Sequence, residues 1–203
     1  MADKEADADG GVLAFLAASG ALKDTMRSAF TDAGARENTA AHSWRLALWI
    51  VALEPELDGY DLARLLKMAI VHDLGEAITG DVPAIQQKGD QAQRKQAESA
   101  ALRSLVASLP DTAQQAITEV AEAYDDGVES EAKLLKALDK LETLLQHATG
   151  ENPADFDYTF NLTYGTDWTN ALPLTASLRT RIDALTRQRL AGDSGKYVKK
   201  SLV

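Results

Sequence analysis

Residues Ile70 to Asp81 read IVHDLGEAITGD, and the adjacent pair His72-Asp73 organises the reading of the whole chain. A neutral imidazole and a carboxylate at neighbouring positions after an apolar stretch can both reach one divalent cation at a helix end. The flanking residues are mostly small, apolar or acidic, as expected at the wall of a buried site. Alone, a His-Asp dipeptide carries little, because it occurs by chance in many proteins. Two further residues of ligand type stand where a helical metal site needs them. His42 lies upstream in ENTAAHSWRLALWIVAL, and Asp139 lies downstream in AKLLKALDKLETLLQ.

Around these residues the periodicity is helical. From Thr39 onward, His42, Leu46, Trp49 and Leu53 recur at spacings of four, three and four, one face of an amphipathic helix that Pro55 ends. Asp61 opens a second helix, with Leu62, Leu65, Leu66, Ala69 and His72 on one stripe and Gly75 terminating it. Gly80-Asp81-Val82-Pro83 reads as a turn. Helices are expected over about Gln91–Leu109, from a cap at Asp111 to about Tyr124, from Ser130 along a leucine stripe that carries Asp139, and from about Leu174 to Leu190. Strand alternation is hard to find. The chain therefore reads as all-α, a single helical domain over residues 11–190. A disordered acidic N-terminus (1–10) precedes it, and a frayed, flexible tail (191–203) follows.

Composition narrows the function classes. At 203 residues the chain suffices for one large domain with one substantial core. It contains no cysteine, which removes disulfides, thiolate zinc sites and cysteine nucleophiles. A formal net charge of −10, with no basic run before YVKK, argues against binding a nucleic acid polymer. The apolar run VLAFLAASGAL is too short to span a bilayer, and the acidic start lacks the positive region of a signal peptide. The expectation is a soluble cytoplasmic protein with no membrane partner. A small anion is compatible with the negative charge, since a metal and one or two local cations can dominate the field inside a cleft.

Two imidazoles and two carboxylates make a nitrogen-oxygen ligand set without sulfur. Such a set suits Mn, Fe, Co, Ni or Zn better than Mg or Ca. Ordinary explanations compete at each position. A lone histidine on an apolar helix face is usually a satisfied core residue, and His42 by itself reads that way. Asp139 within a leucine-rich helix is harder to dismiss, because burying an unpaired carboxylate is costly; its plain accounts are an ion pair with Lys136 or Lys140, or a position at the rim. Together, His42, His72, Asp73 and Asp139 on three helices favour one divalent metal ion in a bundle core. His147, near a helix end before Gly150, reads as a partner of the helix dipole and stays outside the expected site.

The ordered set H…HD…D resembles the HD-domain metal-dependent phosphohydrolases, and within them the 5′-deoxynucleotidase branch. The likeness covers roughly Leu22 to Gln146 and is carried by ENTAAHSWR, LLKMAIVHDLGEAITGDVP and KLLKALDKLE. It implies an all-α HD-domain helical bundle with one catalytic metal held by His42, His72, Asp73 and Asp139. It also marks Glu76 and Asp81 as acidic residues beside the metal that are not ligands. Glu76 is assigned to the leaving group or a substrate hydroxyl, and Asp81 to the water or the sugar, without deciding which is acid and which is base. Arg27, in LKDTMRSAF, stands where the resemblance places a phosphate-gripping guanidinium. The pattern departs there, since the usual neighbouring aromatic is replaced by Ser28, with Phe30 a little later. Arg36 is the rival cation.

The implied activity is removal of phosphate from (deoxy)nucleoside 5′-monophosphates. A non-catalytic nucleotide sensor is the first alternative. A diiron oxygenase of the same fold is the second, and it needs more histidines than the three present. The aromatic-rich segment DFDYTFNLTYGTDW, residues 155–168, could line a base pocket or cap a homodimer interface, with core packing the simplest account.

Overall fold

The computed structural model describes residues 8–87 and 91–202. Helices occupy Ala8–Ser19 (α1), Thr39–Leu53 (α2), Leu62–Val71 (α3), Glu76–Thr79 (α4), Gln91–Val106 (α5) and Asp111–Asp126 (α6). They continue as Ser130–Thr149 (α7), Tyr158–Asn161 (α8), Thr166–Thr169 (α9), Pro173–Leu190 (α10) and Gly195–Lys200 (α11). Among the described residues, no helix is long and apolar enough to cross a membrane.

Local chemistry sets the helices that matter most here. Asn38 caps α2, its side chain accepting from Ala41 N, and Asp61 caps α3 by accepting from Arg64 N. Each such cap stabilises its helix by about 1 kcal/mol. At α6 the N-cap position is taken by Pro110, so Asp111 is the first helical residue and not the cap expected of it.

Helix α7 is the axis of the fold. Leu134, Leu135, Leu138, Leu141 and Leu144 are almost wholly inaccessible, and α2, α3, α6, α10, α11 and β1 (Met26–Phe30) all pack against it. A helix surrounded on every side buries every face, including the polar side chains that it carries. Asp139 and Glu142 are therefore internal.

Larger features also differ from the sequence expectations. Strand β1 pairs antiparallel with β2 (Arg36–Asn38), forming a small hairpin beside the bundle. Arg27 and Ala29 face inward from β1, and an arginine on an inward face gives no apolar alternation to read. The hairpin reaches α7 because Gly150 has no side chain: a Cβ there would lie 2.0 Å from Phe30 O. Secondly, the segment expected to be a frayed tail is helical over Gly195–Lys200 and buries Val198 against Ala148 and Leu185. Ser194 caps it through Tyr197 N. Residues 1–7 of the expected disordered N-terminus lie outside the described residues, while 8–10 belong to α1.

Candidate metal centre

Three helices converge on one point. His42 projects from α2, His72 ends α3, and Asp139 comes from the middle of α7. One ligand-type atom from each lies within 4.8 Å of the other two. His42 Nε2 is 3.1 Å from Asp139 Oδ1, and His72 Nε2 is 3.0 Å from Asp73 Oδ2, which is also 3.7 Å from His42 Nε2. Gly75 lets the HD turn sit tight under α5, since a Cβ there would meet Glu98 O at 2.6 Å.

The donor atoms fit a cation better than they fit one another. His42 Nε2 and His72 Nε2 are both buried, and neither has a hydrogen-bond partner among the described residues. Their close carboxylate contacts are not aligned as hydrogen bonds. Orphaned buried nitrogens are uncommon and need a reason. The opposite ring nitrogens are both engaged: His72 Nδ1 lies 3.0 Å from Ala69 O, and His42 Nδ1 lies 2.5 Å from Glu142 Oε2. When Nδ1–H donates outward, the Nε2 lone pair faces the carboxylates, the orientation a ligating histidine requires.

The two carboxylate oxygens of Asp139 have different surroundings. Its Oδ2 accepts from Lys140 Nζ at 2.7 Å and from Tyr124 Oη at 3.0 Å, so the ion pair with Lys140 is real. Its other oxygen, Oδ1, is the one turned toward His42 Nε2. A second cluster, Glu37, His42 and Glu142, has metal-like spacing, but its charges are already matched. Glu142 pairs with Arg45 at 2.6 Å, and Arg27 Nε lies 3.5 Å from Glu37. That cluster is a buried ion network behind His42.

Above the centre opens a cavity of about 490 Å³. Asp73 and Asp139 line it, as do Glu76, Asp81, Arg27, Lys136 and Lys140. Arg27 donates to Thr143 Oγ1 at 2.9 Å and lies 3.7 Å from Asp73 Oδ2. Burial opposes its charge, but the surrounding Asp73, Glu142, Asp139 and Asp81 outweigh that and hold its pKa above the usual arginine value. Arg36, the rival cation, is exposed and donates to the backbone oxygens of Arg27 and Met26. Ser28 lines the cavity, whereas Phe30 is not among the lining residues.

Glu76 heads α4 and accepts from Thr39 Oγ1 at 3.1 Å. Burial, with Asp73 and Asp81 adding repulsion, pushes its pKa up to about 9. Burial likewise raises Asp81. A cation beside Asp73 opposes both rises.

Other residues line the cavity outside the expected site. Lys136 sits 4.1 Å over the Tyr124 ring, its pKa lowered to about 8 by burial and by Lys140 and Lys95. His147, which the sequence places at a helix end outside the site, belongs to the cavity. It is buried in the cavity wall, and burial pushes its pKa down to about 4. The aromatic segment supplies Phe156, Phe160 and Tyr164 to the same wall, so it is more than core packing.

With this geometry in place, the relationships of the chain are clear. The family model described as HD domain matches residues 19–174, and the chain belongs to the HD-domain family. It is similar to proteins named 5′-deoxynucleotidase HDDC2. The Mus musculus protein is 29% identical over 155 residues, 75% of this chain and 76% of that protein. The Bos taurus protein is 31% identical over 144 residues, 70% of this chain and 68% of that protein. A crystal structure titled "Predicted metal-dependent phosphohydrolase", from Magnetospirillum magnetotacticum MS-1, shares the fold with a TM-score of 0.71 at 22% identity. The likeness covers 89% of this chain and 93% of that one. A conserved hypothetical protein from Pyrococcus furiosus aligns with a TM-score of 0.57 at 28% identity, over 85% of this chain and 98% of that one.

Proposed function

We propose that this chain is a divalent-metal-dependent phosphohydrolase that removes phosphate from nucleoside 5′-monophosphates, with deoxynucleotides preferred. The observation that carries this reading is the pair of buried, unpartnered imidazole nitrogens of His42 and His72, facing carboxylates at the floor of a cavity that also holds Arg27. The relatives named 5′-deoxynucleotidase support the substrate class and the preference for the deoxy sugar.

His42, His72, Asp73 and Asp139 would hold one ion, and the sulfur-free donor set suits Mn, Co, Fe, Ni or Zn. A divalent ion there supplies Lewis acidity toward a phosphoryl oxygen and lowers the pKa of water. The protein does the rest. Arg27, fixed by Thr143 and held charged by its acidic neighbours, grips the remaining phosphate oxygens. Lys136 and Lys140 add positive charge on the α7 side of the cavity, where charge builds on the phosphate as water attacks phosphorus. The ester P–O bond then breaks, the attacking water gives up a proton, and the departing 5′-oxygen takes one. Glu76 is assigned to the leaving oxygen, and Asp81 to the water. Both line the cavity beside the metal centre.

Phosphate release across monophosphates, triphosphates and cyclic nucleotides tests the reading. Hydrolysis should concentrate on 5′-monophosphates. Robust cleavage of triphosphates or cyclic esters without monophosphatase activity would overturn it.

A further inference from the structure

Asp139, Thr143 and His147 occupy successive turns of α7, and all three line the cavity. A helix rises about 1.5 Å per residue, so His147 stands about 12 Å along the axis from Asp139. Asp139 marks the metal end, and Thr143 positions Arg27 for phosphate. The His147 end therefore faces whatever the substrate carries beyond its phosphate.

There the wall changes character. Phe156 meets the His147 ring edge-on at 4.9 Å, and Phe160 and Tyr164 stack at 5.3 Å. Within this apolar surround sits one polar pair. His147 Nδ1 is 3.0 Å from Asn161 Oδ1, while His147 Nε2 and Asn161 Nδ2 have no hydrogen-bond partner among the described residues. Both side chains are more than nine-tenths buried. Arg179 anchors the Asn161 end by donating to its backbone oxygen at 2.8 Å, so the pair is preorganised.

Buried polar atoms are ordinarily satisfied, and two orphans on one bonded pair in the wall of one cavity point to a ligand that brings polar atoms of its own. Burial keeps His147 uncharged. With Nδ1–H donating to Asn161, the pair offers one acceptor, Nε2, and one donor, Nδ2. A neutral donor-acceptor pair flanked by aromatic rings suits a flat heterocycle and suits a second phosphate poorly.

We propose that His147 and Asn161 recognise the base of the substrate through its polar ring and exocyclic atoms, with Phe156 and Phe160 flanking its ring. This rests on the nucleotide reading above and assigns the residues that distinguish a nucleotide from a bare sugar phosphate. All nucleobases carry such polar atoms, so the pair selects for the presence of a base.

The test is steady-state kinetics of the parental, His147→Ala and Asn161→Leu enzymes, loaded with the same metal. The substrates are 2′-deoxyadenosine 5′-monophosphate, thymidine 5′-monophosphate and the base-less 2-deoxyribose 5-phosphate. Each variant should raise KM for the nucleotides about 3- to 10-fold, the worth of one hydrogen bond. The ratio of kcat/KM for nucleotide over sugar phosphate should fall by a similar factor. Equal losses on all three substrates, or an unchanged nucleotide KM in either folded variant, would overturn the assignment. A parental enzyme that cleaves 2-deoxyribose 5-phosphate as well as nucleotides would remove the nucleotide reading, and this inference with it; that outcome is visible before any variant is compared. Two variants on different elements guard against loss of one to misfolding.

Discussion

His42 Nδ1 lies 2.5 Å from Glu142 Oε2, and neither side chain has exposed surface. This contact fixes the ring orientation and the tautomer that leaves Nε2 free to ligate. Arg45 in turn donates to Glu142 Oε1 at 2.6 Å and to its backbone oxygen at 3.2 Å, so the buried carboxylate is compensated on its other side. Replacing Glu142 by Gln should lower affinity for Mn²⁺ about 10- to 100-fold, the usual effect of removing such a partner. Titration of chelator-stripped protein, with circular dichroism as the folding control, measures this. Unchanged affinity would reduce Glu142 to a counter-charge for Arg45.

Glu76 lies in the cavity wall, close enough to Asp73 and Asp81 to feel their charge. Glu76→Ala is expected to retain its metal and lose activity by about 10²-fold or more, the scale of a positioned proton-transfer group. Elemental analysis and turnover of the same preparation give the answer. A metal-loaded variant running at the parental rate would take Glu76 out of the reaction.

Arg27 is tied to Thr143 and Asp73 and is buried between the hairpin and α7. Arg27→Ala should raise KM for deoxynucleoside monophosphates about 10- to 100-fold, the value of a charged hydrogen bond, with metal affinity much less affected. Loss of stability is also expected, since Glu37 loses its nearby cation. A KM unchanged while metal binding collapses would mean that Arg27 serves the metal centre instead.

His147 carries a pH consequence. An imidazole whose pKa falls from 6.5 to about 4 on folding binds fewer protons in the native state, so acid favours unfolding. Its contribution is whole above pH 6.5 and is lost as the pH falls toward 4. His147→Asn should therefore flatten the decline of Tm between pH 6.5 and 4 relative to the parental protein. Parallel Tm curves across that window would show that His147 is not held neutral by the fold.

Much of this was legible before any coordinates. Leucine spacing around Asp139 and the capped run into His72 gave their helices, because those periodicities are local. The convergence of His42, His72 and Asp139 was legible because ligand-type residues recur at helix positions that a bundle core brings together. Glu142 was within reach of the same reasoning: it lies three residues after Asp139 among leucines, and the cost of a buried carboxylate applies equally to it. Other residues depend on contacts between distant segments. The strand that presents Arg27 owes its inward face to Thr143, Asp73 and Glu37, not to apolar alternation. Likewise, His147 meets Asn161 across the turn after α7, so its surroundings could not be read from the end of its own helix.

The most direct measurement is a titration of the chelator-stripped protein with Mn²⁺, following bound metal and phosphate release from 2′-deoxyadenosine 5′-monophosphate in the same samples. Activity should be absent at the start, should rise in proportion to bound metal, and should saturate at one equivalent per chain. Full activity in the stripped protein, or saturation only at two equivalents, would contradict a single catalytic ion held by His42, His72, Asp73 and Asp139.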